Sequence, residues 1–335
     1  MNSKKSVKNY TLVELLVTMS IIATLAGMLM SALTDGHARG RYGRWLGYKS
    51  NLRAEPELVG YFDFQAGEGS TLGNIAQGVN REPYDQRKVD GAISNARWTW
   101  GRWRGKGALE FDGVQSMVAI ADDNMIQELK REFSLEMWMY PYSMDGEFLL
   151  FKSQHELAAD GNCNGNGNGN GNGNGNGNGA NSGRGWGQCV KDEIFSIGMS
   201  RNNKVSISYV VDRYWSNPNN SQGHGYGYAW GHYLTKEATL LQSCSFNLDV
   251  KPERWYHLVV TYSFDDSTLR VYVNGALVQE QKPKDPLRFY FGESFIGGDS
   301  LPGSSFHGLI DEFAVYNRQL SAQDVLNHYE MGRPR

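Results

Sequence analysis

The chain has 335 residues, of which 33 are Lys or Arg and 36 are Asp or Glu, so its formal net charge is -3 at pH 7. A protein that binds nucleic acid through phosphates usually carries a basic excess, so this balance argues against a nucleic-acid partner. Aromatic residues make up 12% of the chain and 40 residues are glycine, which favours a β-rich body with many turns over a helical one.

The N-terminal segment consists of a short basic leader, residues 1–9, followed by an apolar run with one acid near its start. Residues 15–33 contain no charged side chain. At about 1.5 Å per residue, residues 12–33 would form a helix of about 33 Å, long enough to cross a bilayer core. A carboxylate at the rim of such a span is costly, which indicates a functional role for Glu14. An ordinary signal anchor is the alternative interpretation.

The run YTLVELL at residues 10–16 resembles the class III leader of type IV pilins and pseudopilins. The resemblance implies that a dedicated peptidase cuts between Asn9 and Tyr10 and methylates the new amino terminus; Asn9 stands where the family usually has glycine. It also implies that Glu14, as the fifth mature residue, pairs with a neighbouring subunit's terminal ammonium. We therefore expect residues 10–34 to form a pilin-like helix, inserted in the inner membrane before assembly and lying in a filament core afterwards.

Residues 35–57 are predicted to be a connector. The stretch between His37 and Arg44 is basic and punctuated by glycine, and Pro56 closes the segment. A basic patch just after a membrane span can contact acidic headgroups or a neighbouring subunit. A solvated linker is the alternative.

Beyond residue 58, short apolar or alternating runs separated by turn signals predict β-strands. Residues 133–140 alternate strictly, with the odd-numbered side chains from Phe133 to Met139 on one face. Asn274-Gly275 has the composition of a type I′ hairpin turn. Helical spacing is confined to residues 124–131 and 321–329. The pattern predicts a mainly β fold, an antiparallel two-sheet jelly-roll sandwich preceded by one long apolar helix.

Five fragments over residues 58–331 resemble, in their order, laminin-G-like jelly rolls of the concanavalin type. They are YFDF at 61–64, ALEFDG at 108–113, FSLEMW at 133–138, RWYHLVVTY with LRVYVNG at 254–275, and FHGLIDEFAVYNRQLS at 306–321. In that family a calcium ion often ties the first strand region to the last. The resemblance therefore implies structural Ca²⁺ at Asp311, with Asp63 or carbonyls near residues 67–70 as partners. The alternative is that Asp311 caps a turn or pairs with Arg318.

The acidic residues do not form an evident catalytic pair. Related folds hydrolyse glycans with two carboxylates a few ångströms apart on one strand face. Glu136 stands alone among apolar neighbours, and the adjacency of Asp311 and Glu312 puts their side chains on opposite faces of a regular strand. We therefore expect the domain not to be an enzyme.

Two aromatic clusters are candidate contact surfaces. Flat rings stack on sugars, and Tyr, Trp and Arg also dominate protein interfaces, so glycan contact, subunit contact and local packing all stay open. The first cluster contains Trp215, Tyr226, Tyr228 and Trp230, and the second contains Trp98, Trp100 and Trp103.

Residues 164–179 are eight uninterrupted Asn-Gly repeats. Such a tract cannot bury apolar surface, so we expect a surface insertion over residues 161–188. Cys163 and Cys189 flank it, and in an exported protein they are candidates to close a disulfide loop. The rival pairing, Cys189 with Cys244, leaves Cys163 free. Asn219 begins an N-glycosylation sequon.

The two resemblances together predict a structural subunit of a pilin-like extracellular filament that displays a jelly-roll head. Its partner would be further copies of the same chain, in a helical homopolymer. One alternative is a membrane-tethered glycan-binding module, and another is a minor pseudopilin of a secretion system. A pseudopilin would be scarce in the cell, whereas a filament subunit would be abundant.

Overall fold

The structure is a computed structural model of the whole chain. It describes residues 11–76, 89–103, 105–121, 132–144, 146–157, 190–200, 204–216, 234–248, 250–283, 287 and 293–334. The helices are α1 Leu12–Arg53 and α2 Ala322–Gly332. The strands are β1 Leu58–Phe62, β2 Thr71–Leu72, β3 Gly91–Ser94, β4 Arg97–Trp100, β5 Gly107–Asp112, β6 Met117–Ile120, β7 Glu132–Pro141, β8 Phe148–Leu157, β9 Val190–Ser200, β10 Lys204–Ser216, β11 Leu234–Asn247, β12 Tyr256–Ser263, β13 Thr268–Val273, β14 Ala276–Gln281, β15 Glu293–Ile296 and β16 His307–Tyr316.

The strands form two eight-stranded antiparallel sheets, which confirms the predicted mainly β sandwich. Sheet A has the order β14-β13-β12-β7-β16-β5-β4, and β1 also pairs with β16. Sheet B has the order β11-β10-β9-β8-β15-β6-β3-β2. The first strand of the domain therefore lies directly beside the last one, in the middle of sheet A.

The main core lies between the two sheets. As predicted, the odd-numbered side chains of β7 from Phe133 to Met139 join it, and none is more than 1% exposed. The even-numbered side chains Ser134, Glu136 and Trp138 are buried as well. They lie on the outer face of sheet A, where the helices cover the sheet and build a second apolar cluster.

Helix α1 continues well past residue 34, the predicted end of the apolar helix, and runs through most of the segment 35–57 as far as Arg53. Trp45, Tyr48 and Leu52, spaced i, i+3 and i+7, are buried in the second cluster on the outer face of sheet A. This apolar stripe stabilises the helix by packing, which outweighs the low helix propensity of glycines such as Gly43 and Gly47.

Helix α2 confirms the predicted helix near residues 321–329. Ser321 caps it, and the side chains of Ser321 and Asp324 each accept a hydrogen bond from the other's backbone N–H. Such a capping box satisfies two donors of the first turn and fixes where the helix begins. The other predicted helix, residues 124–131, lies outside the described residues.

The hairpins of the domain set where its long loops emerge. Asn274 and Gly275 have φ values of 51° and 81°, as the predicted type I′ turn between β13 and β14 requires. In sheet B, Leu157 pairs with Val190 and Ser216 pairs with Leu234. Because β8 and β10 run in the same direction, the pairs Leu157–Val190 and Ser216–Leu234 lie at the same end of sheet B.

Candidate functional site

The first half of α1 is an uncovered apolar surface. Residues Leu12–Met30 are long and apolar enough to cross a membrane, and none of them is buried. Their side chains are mostly aliphatic, and Leu12, Leu16, Ile22 and Leu29 are each more than 60% exposed. A continuous apolar surface of this length needs a lipid or protein environment.

Glu14 is held by the first turn of its own helix. Its Oε2 accepts hydrogen bonds from the backbone N of Thr11 at 2.8 Å and from Thr11 Oγ1 at 3.0 Å, and Glu14 N donates to Thr11 Oγ1. The carboxylate therefore has local partners within the isolated chain. The predicted cleavage site, Asn9 and Tyr10, lies outside the described residues.

The second half of α1 is joined to the head by buried polar contacts. Trp45 Nε1 donates to Glu312 Oε1 at 3.0 Å, and Lys49 forms an ion pair with Asp63 just after β1. Tyr61, on β1, also donates to Glu312. These bonds tie the helix to both the first and the last strand of the domain.

Asp311 and Glu312 meet at one cation, Arg102. Arg102 Nε lies 2.9 Å from Asp311 Oδ1, and Arg102 also pairs with Glu312. The prediction that these neighbours point to opposite faces is wrong, because the pairing of β16 with β7 shifts register between Ile310 and Glu312, the mark of a β-bulge. Burial alone would lower the pKa of Arg102, but the two carboxylates raise it.

Arg102 also reaches the end of helix α2. Its Nη1 donates to Gly332 O at 2.8 Å, and its guanidinium lies over the ring of Trp138 at 4.1 Å from the centroid. A Cβ at Gly332 would lie 2.6 Å from Arg102 Nη1, so glycine is what allows this approach. The alternative that Asp311 pairs with Arg318 is wrong, since Arg318 pairs with Glu55 and Asp324.

The predicted calcium ligands lie around a lysine. Lys106 is fully buried, and its Nζ donates to Asp63 O at 2.7 Å, to Gly107 O at 3.3 Å and to Asp311 O. The carboxylates of Asp63 and Asp311 are bound by Lys49 and Arg102. Among the described residues, no group of three or more His, Cys, Asp or Glu side chains could hold a metal ion. The donor set does not fit calcium, and the calcium site stays a prediction from the family resemblance alone.

Glu136 lies between two histidines under helix α2. Its Oε1 is 2.8 Å from His257 Nε2, its Oε2 is 2.8 Å from His328 Nδ1, and Tyr316 donates to it at 3.2 Å. Burial alone would raise the pKa of Glu136, but the histidines lower it well below its usual range. Sequence reasoning missed His328; its one signal is its position three residues after the buried Val325 on α2.

The structure describes all of the second aromatic cluster and one residue of the first. Trp98 donates from Nε1 to Gly69 O at 2.8 Å, Trp103 is buried, and Trp100 is 69% exposed. Trp215 is the penultimate residue of β10, beside the segment 217–233. The other predicted contact residues, Tyr226, Tyr228 and Trp230, and the sequon residue Asn219 lie outside the described residues.

Of the three cysteines, Cys244 lies among the described residues. Cys244 is a free thiol buried in the main core, opposite Ile207 on the neighbouring strand. Burial raises the pKa of this thiol to about 11, so it is an inert core residue. Cys163 and Cys189 lie outside the described residues, so their pairing stays a prediction.

The comparisons agree with this architecture. The sequence matches no curated protein. Three solved structures are similar: the botulinum neurotoxin serotype D binding domain (TM-score 0.50, 10% identity, covering 84% of this chain and 53% of that one), the neurotoxin DC binding domain in complex with rat synaptotagmin II (0.49, 11%, 83% and 52%), and the same domain in complex with SialylT (0.48, 10%, 83% and 52%). This chain spans about half the length of those proteins, and the likeness extends to the fold alone.

The family match is more specific. A family model described as the concanavalin A-like lectin/glucanases superfamily matches residues 112–326, more than half of the chain. The match begins at the last residue of β5 and ends in α2, so it includes the strands from β6 to β16 and leaves out β1 to β4. The chain therefore belongs to the Laminin_G_3 family of concanavalin A-like domains.

Proposed function

We propose that this protein is the structural subunit of a type IV pilin-like filament and that it displays its lectin-like head on the cell surface. The observation that carries the proposal is the division of α1 into two halves. The first half is apolar and uncovered, whereas the second is fastened to the head through Trp45 and Lys49. One continuous helix thus connects an assembly surface to a displayed domain.

The surroundings of Glu14 suit a protein that changes environment. Before assembly, the first half of α1 lies in the inner membrane, and Thr11 satisfies the carboxylate there. In the filament, the ammonium of a neighbour's processed first residue replaces Thr11 as the partner. An unpaired carboxylate in a low-dielectric helix bundle is costly, so this exchange selects one register between subunits.

Two measurements test the proposal. Electron microscopy of purified surface appendages should show thin helical fibres that contain this chain, and mass spectrometry should find a methylated mature N-terminus at Tyr10. A native protein found only as a membrane-embedded monomer would refute the filament. An abundance far below one filament's worth of copies per cell would instead favour the minor pseudopilin.

We also propose that the head is not an enzyme. Among the described residues, the two neighbouring carboxylates Asp311 and Glu312 are buried and share Arg102, and Glu136 is enclosed by two histidines. A glycosidase needs carboxylates that reach a substrate from a cleft. Hydrolysis of a panel of polysaccharides by the purified protein would contradict this proposal.

A membrane-tethered glycan-binding module is the second candidate. The observation that favours it is the hairpin β10–β11, whose residues Val210 to Ser216 extend beyond the register shared with β9 and end at the aromatic-rich segment 217–233. Binding on a glycan array that Trp230→Ala abolishes, and that the control Trp100→Ala retains, would support it. In that case α1 serves only as an anchor.

A further inference from the structure

We propose that the ammonium of Lys106 is a built-in cation that clamps the beginning of the jelly roll to its end, so that the head does not depend on calcium. This inference does not depend on the filament role. Lys106 binds a carbonyl just after β1, at Asp63, and a carbonyl in β16, at Asp311. A divalent ion at this position would make the same link between the first and last strands.

The number of carbonyl oxygens around Lys106 Nζ indicates that the side chain is a charged ammonium. A lysine ammonium has three N–H donors and no acceptor. Three carbonyl oxygens, those of Asp63, Gly107 and Asp311, accept from Nζ. A neutral amine has only two donors and would turn its lone pair toward one of these oxygens, so the three-carbonyl cage selects the ammonium.

The neighbouring charges compensate this buried cation. Burial lowers the pKa of Lys106, and the carboxylates of Asp311 and Glu312 oppose that effect. Lys49 pairs with Asp63, and Arg102 pairs with Asp311 and Glu312, so three cations and three anions meet at the junction. The ring of Trp45 adds a face 4.9 Å from Lys106 Nζ, which favours a cation further.

The backbone is shaped to bring the carbonyls to Lys106. Phe64, which follows Asp63, has a φ of 53° although it is a buried aromatic residue. Side chains of this kind rarely adopt that conformation, and surrounding structure must hold it in place. A Cβ at Gly107 would lie 2.0 Å from Phe64 O, so only glycine permits β5 to start here. The cage therefore requires a strained backbone at Phe64 and a close approach of Gly107 to Phe64 O.

The experiment measures thermal unfolding of the detergent-solubilised full chain with excess EGTA and with millimolar CaCl₂. We expect the two melting temperatures to agree within about 1 °C, which corresponds to well under 1 kcal/mol. A rise in melting temperature with calcium would overturn the proposal, and this measurement needs no variant to fold.

A matched pair of lysine variants tests the cage itself. Lys106→Met keeps the side-chain volume but removes the donors, and we expect its melting temperature to fall by roughly 10 °C. Lys204→Met changes an exposed lysine at the start of β10 and should melt like the wild type. Equal melting temperatures for the two variants would show that the ammonium clamps nothing. Failure of Lys106→Met alone to fold would support the clamp.

Discussion

Glu136 Oε2 lies 2.8 Å from His328 Nδ1, so a buried charge pair joins the middle of strand β7 to helix α2. The other oxygen of the same carboxylate binds His257 on strand β12. Both histidines are buried, but their pKa values shift in opposite directions. Burial lowers the pKa of His257. Burial also opposes the charge of His328, but Glu136, together with Glu55 and Asp324, raises the pKa of His328.

This difference predicts that the folded state loses stability as the pH rises above about 6.5. A histidine whose pKa is raised in the folded state stabilises fully below its unfolded pKa of about 6.5, and that contribution is lost as the pH rises through the folded pKa. His257 acts in the opposite direction, but only as the pH falls below about 6.5. Urea unfolding at a series of pH values from about 6.5 upward should therefore show a decline that His328→Gln removes.

The control for that titration is His37→Gln, which changes an exposed histidine on α1. It should leave the decline unchanged. If His328→Gln retains the wild-type decline, then His328 is not the group that loses its proton in this range.

The buried ion pairs of Arg102 should contribute much more to the free energy of unfolding than the exposed ion pair of Arg97. Its side chain and that of Asp311 are fully buried, so Arg102→Met leaves two carboxylates without their main partner and should cost about 3–5 kcal/mol of unfolding free energy. Arg97, which pairs with Glu110, has a side chain that is 78% exposed. Arg97→Met should cost at most about 1 kcal/mol. Similar costs for both variants, measured by urea unfolding, would contradict the buried network.

The burial of Trp45 predicts that the second half of α1 is a stable helix only while it is docked on the head. Trp45→Ala removes a fully buried ring and its bond to Glu312, which should cost about 3–5 kcal/mol. Hydrogen exchange over residues 35–53 should become much faster, because an undocked helix rich in glycine is marginal in water. Leu46→Ala changes the exposed neighbour and should leave exchange nearly unchanged. Unchanged exchange in Trp45→Ala would mean that the helix is stable without the head.

Replacing Glu14 distinguishes a helix that assembles into a filament from a helix that only anchors the protein in the membrane. In an assembling helix, Glu14→Leu strands a neighbour's ammonium at a cost of about 3–5 kcal/mol per contact, so subunits should accumulate in the membrane without forming fibres. Thr24→Leu is the matched control, because the hydroxyl of Thr24 bonds only to carbonyls of its own helix in the described structure. Immunoblots of sheared appendages measure the yield. Normal fibres from Glu14→Leu would exclude the pilin mechanism.

The sandwich could be predicted because its signals are local. The alternation in β7 and the Asn274-Gly275 turn depend on residues close in sequence, and both are confirmed. The prediction also missed β11, Leu234–Asn247, although exposed polar and buried apolar residues alternate over residues 243–248. Its strand character comes from its pairing with β10 along thirteen positions.

The junction between helix and head could be predicted only in part. The i, i+3, i+7 spacing of Trp45, Tyr48 and Leu52 was a readable helical signal, hidden by basic and glycine residues that suggested a linker. The convergence of Asp311 and Glu312 on Arg102 had no such signal. It depends on a β-bulge and on a contact across 209 positions of sequence, which residue spacing cannot encode.

The pairing of Leu157 with Val190 has a consequence for how this gene can vary. Leu157 and Val190 flank the segment 158–189, which contains the Asn-Gly tract, and they pair in one hairpin, so the sandwich constrains only the distance between these two residues. Doubling the number of residues between them would add only about 0.6 kcal/mol of closure entropy. A shorter or longer segment between Leu157 and Val190 should therefore leave the rest of the sandwich unchanged.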